Sequence, residues 1–218
     1  MVAGHFINGG PLDILSVDNN TSGTNNADMF IGNGQGGGTL QSSFSLGGLA
    51  SVTGIAAADF DGDGNEDFVI TGVIYGVYCF APVLGTGKGT FGGPTLNAIG
   101  SNPVAAAVGS FGTKGYPDII VADSGANQAT IFENNSQGYF FPEGQANTGT
   151  TPIALVTADF NGDGFTDAAV LNSGSDNITI SAAGMLTITD NATGSPQTVA
   201  LSGTGSSVAL SSSTQASR

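Results

Sequence analysis

Basic residues and cysteine are scarce in this 218-residue sequence. It contains three Lys and Arg residues against 17 Asp and Glu, and its formal net charge at pH 7 is −14. Proteins that bind nucleic acid need a basic surface, so this composition argues against a nucleic-acid partner. The single cysteine, Cys79, excludes a disulfide within the chain. It lies between apolar neighbours, and we predict a buried thiol.

Long apolar runs are also missing. The longest uncharged apolar stretch, residues 69–85, is interrupted by Gly72, Gly76 and Pro82, which two strands and a turn explain better than a membrane span. The first five residues have neither the basic start nor the apolar core of a signal peptide. We therefore predict no membrane insertion, and no signal peptide is visible in this chain.

Glycine, by contrast, is abundant, with 36 residues, and Ser, Thr and Asn are frequent. No segment shows a convincing helical pattern. This composition is typical of turn-rich proteins built from strands, so the predicted fold class is all-β.

Two nine-residue segments, 59–67 and 159–167, carry oxygen-bearing side chains at positions 1, 3, 5 and 9 and a glycine at position 6. This is the spacing of a calcium-binding loop, in which position 7 contributes its backbone carbonyl. The predicted metal ligands are Asp59, Asp61, Asp63, Asn65 and Asp67 in the first segment and Asp159, Asn161, Asp163, Phe165 and Asp167 in the second.

Carboxylates so close together repel one another by roughly 4 kcal/mol per pair at 4 Å and an effective dielectric constant near 20, so they need a cation. The hard oxygen donors favour Ca²⁺, with two sites; Mg²⁺ is the second choice, and an acidic turn without metal is the alternative. An EF-hand would need Glu at position 12, where Ile70 and Val170 stand. Apolar segments flank each loop, so we expect each loop to join two strands.

Aligning the two loops reveals two further copies in which the ligands are lost. The four loops span residues 5–13, 59–67, 110–118 and 159–167. They share the positions Phe6, Phe60, Phe111 and Phe160, then Gly10, Gly64, Gly115 and Gly164, then Asp13, Asp67, Asp118 and Asp167. We expect the glycine to keep a left-handed turn in every copy. A period of about fifty residues indicates propeller blades, each a four-stranded antiparallel meander.

The run from Ala58 to Ile70, followed by the turn Gly89-Thr90-Phe91, resembles the FG-GAP/VCBS-type repeat of integrin-like β-propellers. The resemblance covers roughly residues 3–182. It implies calcium in the loop between the first and second strands of a blade, an extracellular or cell-surface location, and usually about seven blades. Four copies are present here, the first without its inner strand, so the predicted fold is a β-propeller-type array of about four blades, partial or open.

After the repeats, residues 183–206 alternate in strand fashion around a turn and predict a C-terminal β-hairpin. This hairpin resembles the closing hairpin of bacterial immunoglobulin-like surface domains, and it either completes the last blade or lies on its edge. Residues 207–218 are rich in Ser and Thr, and we predict a disordered tail.

In the third copy Lys114 stands where Asp63 stands in the second. One hypothesis is that the Lys114 ammonium takes the place of the metal and pairs with Asp118; the alternative is that it extends into solvent. His5 is the only histidine and has no partner motif, so we interpret it as an incidental loop residue rather than a general base.

Three functions follow from these patterns. The first is a non-catalytic, calcium-stabilised module used for cell adhesion or for binding an extracellular protein or glycan. The second is a calcium-dependent polysaccharide-degrading enzyme, or its accessory propeller; however, the sequence lacks a nucleophile elbow, a zinc signature and a Walker loop. The third is a purely structural spacer. We predict that the chain is not an enzyme.

Overall fold

A computed structural model describes residues 1–18, 25–112, 115–181, 186–189 and 199–201. All regular secondary structure in these residues is β-strand, as predicted. The predicted tail at 207–218, the turn of the C-terminal hairpin and Lys114 lie outside the described residues. The described part of the chain holds no helix with the length and apolar character that a membrane crossing requires.

The first two of four antiparallel sheets cover residues 2–98. Sheet 1 consists of β1 Val2–Gly4, β2 Asp13–Val17, β3 Asn26–Gly32 and β4 Gly38–Ser45. Sheet 2 consists of β5 Leu49–Ala58, β6 Asp67–Ile74, β7 Val77–Val83 and β8 Asn97–Ala98. In both sheets the strands pair in chain order, so each sheet is the predicted meander.

The other two sheets are also antiparallel meanders in chain order, but the last one has five strands instead of the predicted four. Sheet 3 consists of β9 Pro103–Gly109, β10 Asp118–Asp123, β11 Gln128–Asn134 and β12 Phe140–Asn147. Sheet 4 consists of β13 Pro152–Ala158, β14 Asp167–Asn172, β15 Asn177–Ser181, β16 Leu186–Thr189 and β17 Val199–Leu201. The predicted hairpin is therefore part of sheet 4, where β16 pairs with β15 and β17 pairs with β16.

The second strand of each sheet contributes side chains to both faces, because successive residues of a strand point in opposite directions. In β6, Phe68 and Ile70 pack toward sheet 1, whereas Val69 packs toward sheet 3. In β10, Ile119 packs toward sheet 2 and Ile120 toward sheet 4. We call the face that packs on the preceding sheet the leading face, and the opposite face the trailing face. Three apolar clusters thus join the four sheets.

The first strands of the sheets lie side by side, β1 next to β5, β5 next to β9 and β9 next to β13. The Oγ1 atom of Thr53 donates a hydrogen bond to the carbonyl of Pro103 (2.7 Å), and that of Thr157 donates to the carbonyl of Val108 (2.8 Å). Gly54 permits the close approach, since a Cβ there would lie 2.8 Å from the backbone nitrogen of Ala106. Among the described strands, β13 and β1 do not pack together in this way, so the propeller is open.

The first copy differs from prediction in two respects. It does have an inner strand, because β1 pairs with β2 through Val2, Ala3 and Gly4. Its loop is also shifted by one residue: the left-handed glycine is Gly9, with φ of +76°, rather than Gly10. In the other three copies the predicted Gly64, Gly115 and Gly164 do have positive φ. A three-residue strand was too short to show a period-2 pattern in the sequence.

Candidate metal centre

The two acidic loops connect the first and second strands of sheets 2 and 4. In the loop at 59–67, one Asp59 oxygen accepts a hydrogen bond from the amide of Gly62 and the other from the amide of Gly64, both at 2.8 Å. The two glycines have φ of +75° and +85°, values that residues with a Cβ atom rarely adopt. The carboxylate of Asp59, at loop position 1, therefore holds the backbone of the loop in a curved conformation around it.

The loop at 159–167 has the same backbone arrangement. The Asp159 carboxylate accepts hydrogen bonds from the amides of Gly162 (2.6 Å) and Gly164 (3.0 Å). Further along, the amide of Phe165 donates to Asp163 at 2.8 Å, as the amide of Asn65 donates to Asp63. The two loops thus share one scaffold, and differences between them arise from the side chains.

Three of the predicted ligands converge in the first loop. One carboxylate oxygen from each of Asp59, Asp61 and Asp67 lies within 4.8 Å of the others. Asp63 stands apart from this group, because its oxygens accept bonds from the amide nitrogen (2.8 Å) and the Nδ2 atom (2.6 Å) of Asn65. The described residues of the second loop form no such group of three carboxylates.

The electrostatic environment of the first loop disfavours uncompensated negative charge. Burial first, and then the charges of Asp61 and Asp59, raise the pKa of Asp67 to about 6, against the lowering effect of hydrogen bonds from Gly85 and Phe60. Burial also raises the pKa of Asp61, with repulsion from Asp63 and Asp59 adding to it. A bound cation would relieve both effects.

The second loop carries fewer negative charges than the first. Hydrogen bonds from backbone amides, that of Gly164 first, lower the pKa of Asp159. Its third position carries the neutral Asn161 instead of an aspartate, so one source of repulsion is missing. The need for a cation is therefore smaller in this loop than in the first.

The closing aspartate also has a structural role in every sheet. Asp67 accepts hydrogen bonds from the amides of Phe60 (2.7 Å) and Gly85 (2.6 Å), which ties the loop to the end of β7. Asp118 does the same with Phe111 (3.2 Å) and Asn134 (2.9 Å). These bonds explain why the aspartate persists in copies that have lost the other ligands.

The remaining two sheets show the same role with small changes. Asp167 accepts from Phe160 at 2.8 Å. In the first copy, Asp13 accepts from Ile7 (2.9 Å) instead of Phe6, in keeping with the one-residue shift of that loop, and from Gly32 (3.1 Å) at the end of β3.

Sequence reasoning missed the residue at loop position 8. A Glu66 oxygen accepts the amide proton of His5 at 3.0 Å, and the Oγ1 atom of Thr166 accepts that of Ser110 at 2.9 Å. In both cases the acidic loop of one sheet accepts a hydrogen bond from the first residue of the loop in the preceding sheet. We call those loops, which have lost the metal ligands, degenerate loops. Position 8 holds a glutamate in one loop and a threonine in the other, so the aligned loops showed no shared residue that would have predicted this contact.

Asn134 was also missed. It is buried, and its Nδ2 atom donates to the carbonyls of Phe60 (2.7 Å) and Pro117 (3.0 Å), linking the first acidic loop to sheet 3. No pattern in the sequence singled it out as a residue of the site. Its contact with Phe60 spans 74 residues and became visible only in the folded chain.

The donor set fits calcium. All side-chain donors are carboxylate or amide oxygens, and the carboxylates that converge belong to loop positions 1, 3 and 9. Asp59, Asp61 and Asp67 would hold the ion, with Asp63 and the carbonyl of Asn65 as further predicted ligands. The corresponding set in the second loop, Asp159, Asn161, Asp163, Phe165 and Asp167, remains a prediction. Bound calcium would supply positive charge and a cross-link within the loop.

The sequence was also compared with known proteins. The model of the FG-GAP-like repeat family matches residues 8–70 and 114–170, which together make up more than half of the chain. Both acidic loops lie inside the matched segments. No curated protein matches the chain significantly.

Proposed function

The chain belongs to the FG-GAP-like repeat family, and from this premise we propose that it is a calcium-binding, non-catalytic module that binds an extracellular protein or glycan. Repeats of this family typically occur in extracellular or cell-surface proteins and generally serve as non-catalytic structural modules. Calcium binding, adhesion and the nature of the partner are the proposed parts of this function.

The observation that supports calcium best is the group formed by Asp59, Asp61 and Asp67. Three carboxylate oxygens within 4.8 Å of one another repel unless a cation or protons intervene, and the pKa of Asp67 is raised first by its burial and then by the charges of Asp61 and Asp59. Hard oxygen donors select calcium over transition metals.

The role of the ion would be structural. Asp67 connects the loop to β7 through Gly85, while Glu66 connects the same loop to sheet 1 through His5. A cation held by this loop therefore stabilises both the sheet and its contact with the preceding sheet. Because the ion would bind only the folded loop, calcium would raise the free energy of unfolding.

A binding role is supported by exposed aromatic side chains at strand ends. Tyr75 lies in the β6–β7 turn, Tyr78 lies near the start of β7, and Tyr139 precedes β12; all three are exposed. Tyrosine side chains offer an apolar ring and a hydroxyl, which suits contacts with a sugar face or with another protein.

The calcium part is tested by titrating metal-stripped protein with Ca²⁺ in a calorimeter and by measuring its melting temperature with Ca²⁺ or excess chelator. We expect two binding events and a melting temperature that rises with calcium. The variant Asp59→Ala should lose one event, whereas Asp176→Asn, an exposed aspartate outside the loops, should keep both. A melting temperature that does not respond to calcium would refute the proposal.

The binding part is tested on a glycan array in the presence of calcium, followed by incubation with any glycan that binds. Binding without release of products supports a binding module. Release of products would overturn the non-catalytic assignment and favour the polysaccharide-degrading enzyme. Calcium-dependent stability without any glycan or protein ligand would favour the structural spacer.

A further inference from the structure

One phenylalanine breaks the pattern of the interfaces between sheets. At loop position 2, Phe6, Phe60 and Phe111 are each buried in the apolar cluster between their own sheet and the next one. The equivalent Phe160 of sheet 4 is 47% exposed. Its exposure identifies the trailing face of sheet 4 as an interface without a partner in the described residues.

The trailing face of β13, β14 and β15 in sheet 4 has this character. Leu171 on β14 and Ile178 on β15 form a cross-strand pair, and both are exposed. The equivalent pair in sheet 2 consists of Thr71 and Phe80, which are buried against sheet 3. Val156, which faces Ala169 on the same side, is exposed as well. Sheet 4 therefore presents to solvent the positions that sheet 2 buries.

The leading face of sheet 1 is the matching half of such an interface. Ile14 on β2 and Phe30 on β3 form a cross-strand pair on this face. In sheet 3 the equivalent pair is Ile119 and Phe132, which are buried against sheet 2. There the ring of Phe132 lies 4.4 Å from that of Phe80, centroid to centroid. Ile14, by contrast, is 45% exposed.

We propose that the trailing face of sheet 4 binds the leading face of sheet 1 of a second copy of this chain. The contact continues the interface that already joins sheets 2 and 3, with Ile14 and Phe30 of the second copy in the places of Ile119 and Phe132. It also keeps the alternation along the array, in which a sheet with an acidic loop is followed by one with a degenerate loop. The contact is heterologous, since two different faces meet.

Such a contact can form either a closed ring of two chains or a longer head-to-tail oligomer. If the second copy returns its own sheet 4 to sheet 1 of the first, the two chains form a closed ring with two identical interfaces. If the rotation does not close, the same contact produces longer head-to-tail oligomers. The net charge of −14 opposes association. The test is therefore made at an ionic strength of about 0.15 M, where the Debye length is about 8 Å.

The experiment is sedimentation velocity on the full chain over a wide concentration range. We expect a reversible dimer or longer oligomer. Ile178→Asp on sheet 4 and Ile14→Asp on sheet 1 should each weaken association at least tenfold. Val77→Asp is the matched control, because Val77 is 44% exposed, close to the 45% of Ile178, but lies at the β6–β7 turn of sheet 2. It should leave association unchanged.

A mixing experiment identifies the faces. Ile14→Asp retains an intact sheet 4 face, and Ile178→Asp retains an intact sheet 1 face, so an equimolar mixture should recover a dimer that neither variant forms alone. Circular dichroism establishes that both variants fold. The proposal is overturned if the wild-type chain remains monomeric at high micromolar concentration. It is also overturned if Ile14→Asp associates like wild type, since sheet 4 would then bind another occupant.

Discussion

The loops at 59–67 and 159–167 share one backbone scaffold but differ in the state of their carboxylates. In the first, Asp59, Asp61 and Asp67 converge, and burial together with mutual repulsion raises the pKa of Asp67. In the second, Asn161 removes one charge, and backbone amides lower the pKa of Asp159. We therefore expect identical spacing to give two sites of different calcium affinity, because ligand spacing sets the geometry while charge and burial set the free energy.

The surroundings of the two loops also differ, because the first loop is more deeply packed than the second. Phe60 is buried between sheets 2 and 3, and Asn134 binds its carbonyl. Phe160 is exposed on the trailing face of sheet 4. The first loop is thus part of a packed interface, whereas the second has a sheet on one side only within the part of the chain that the structure describes. The predictions below exploit this contrast.

The largest expected effect is that of removing the closing aspartate. Asp67→Ala leaves the buried amide of Phe60 and the partly buried amide of Gly85 without their acceptor, and we expect the free energy of unfolding to fall by about 3–5 kcal/mol. Asp167→Ala should cost about half as much, since Phe160 is exposed. Chemical denaturation of metal-stripped protein measures both values. Equal losses would contradict the contrast between the loops.

The next effect is a pH dependence that reverses sign with calcium. In metal-stripped protein the pKa of Asp67 rises from 3.8 to about 6 on folding. The native state therefore holds the proton more tightly than the unfolded chain. This contribution is fully present below pH 3.8 and is lost as pH rises through about 6, at most about 3 kcal/mol.

Calcium must displace the same proton, so the stabilisation that calcium provides should increase as pH rises from 5 to 7.5. Melting temperatures of metal-stripped and calcium-loaded protein at the two pH values measure both trends. The variant Asp67→Asn should lose the pH-dependent part of the difference. If it behaves like the parent chain, the assignment of the proton to Asp67 is wrong.

A smaller effect is expected from exchanging the residue at position 3. Asp61→Asn gives the first loop the side-chain ligands of the second at this position, and we expect its calcium affinity to fall about tenfold, or about 1.4 kcal/mol. Asn161→Asp should strengthen the second loop by a similar factor. Calorimetric titration measures both, with Asp176→Asn as the control. If Asp61→Asn strengthened calcium binding, or Asn161→Asp weakened it, burial would outweigh charge in setting the affinity.

The smallest effect concerns the bonds between neighbouring loops. Glu66→Ala and Thr166→Val each remove an acceptor for the first residue of the preceding loop, and each should cost about 0.5–1 kcal/mol. Hydrogen exchange at the amides of His5 and Ser110 reports the two bonds separately. Faster exchange at His5 in Glu66→Ala, without change at Ser110, is the expected pattern, and the reverse holds for Thr166→Val.

Much of the fold was predictable from local patterns. The period of about fifty residues, the four meanders and the strand flanks of each acidic loop follow from period-2 alternation and glycine placement, which act over a few residues. The inner strand of the first copy was missed, because Val2–Gly4 offers three residues only. The shift of the left-handed glycine to Gly9 depends on where this short strand ends, and no sequence spacing reports that.

The residues of the site also differ in whether local sequence patterns or only the tertiary structure could identify their role. The sequence by itself determined the positions of the acidic loops and the family, and it supplied the predicted oxygen ligands, since ligand spacing is a property of nine consecutive residues. Only the tertiary structure decided that Asp59, Asp61 and Asp67 converge while Asp63 turns to Asn65, that Asn134 supports Phe60, and that Phe160 is exposed. Burial and its effect on charge arise from contacts between sheets, and such contacts join distant residues, as the hydrogen bond from Asn134 to Phe60 does across 74 positions.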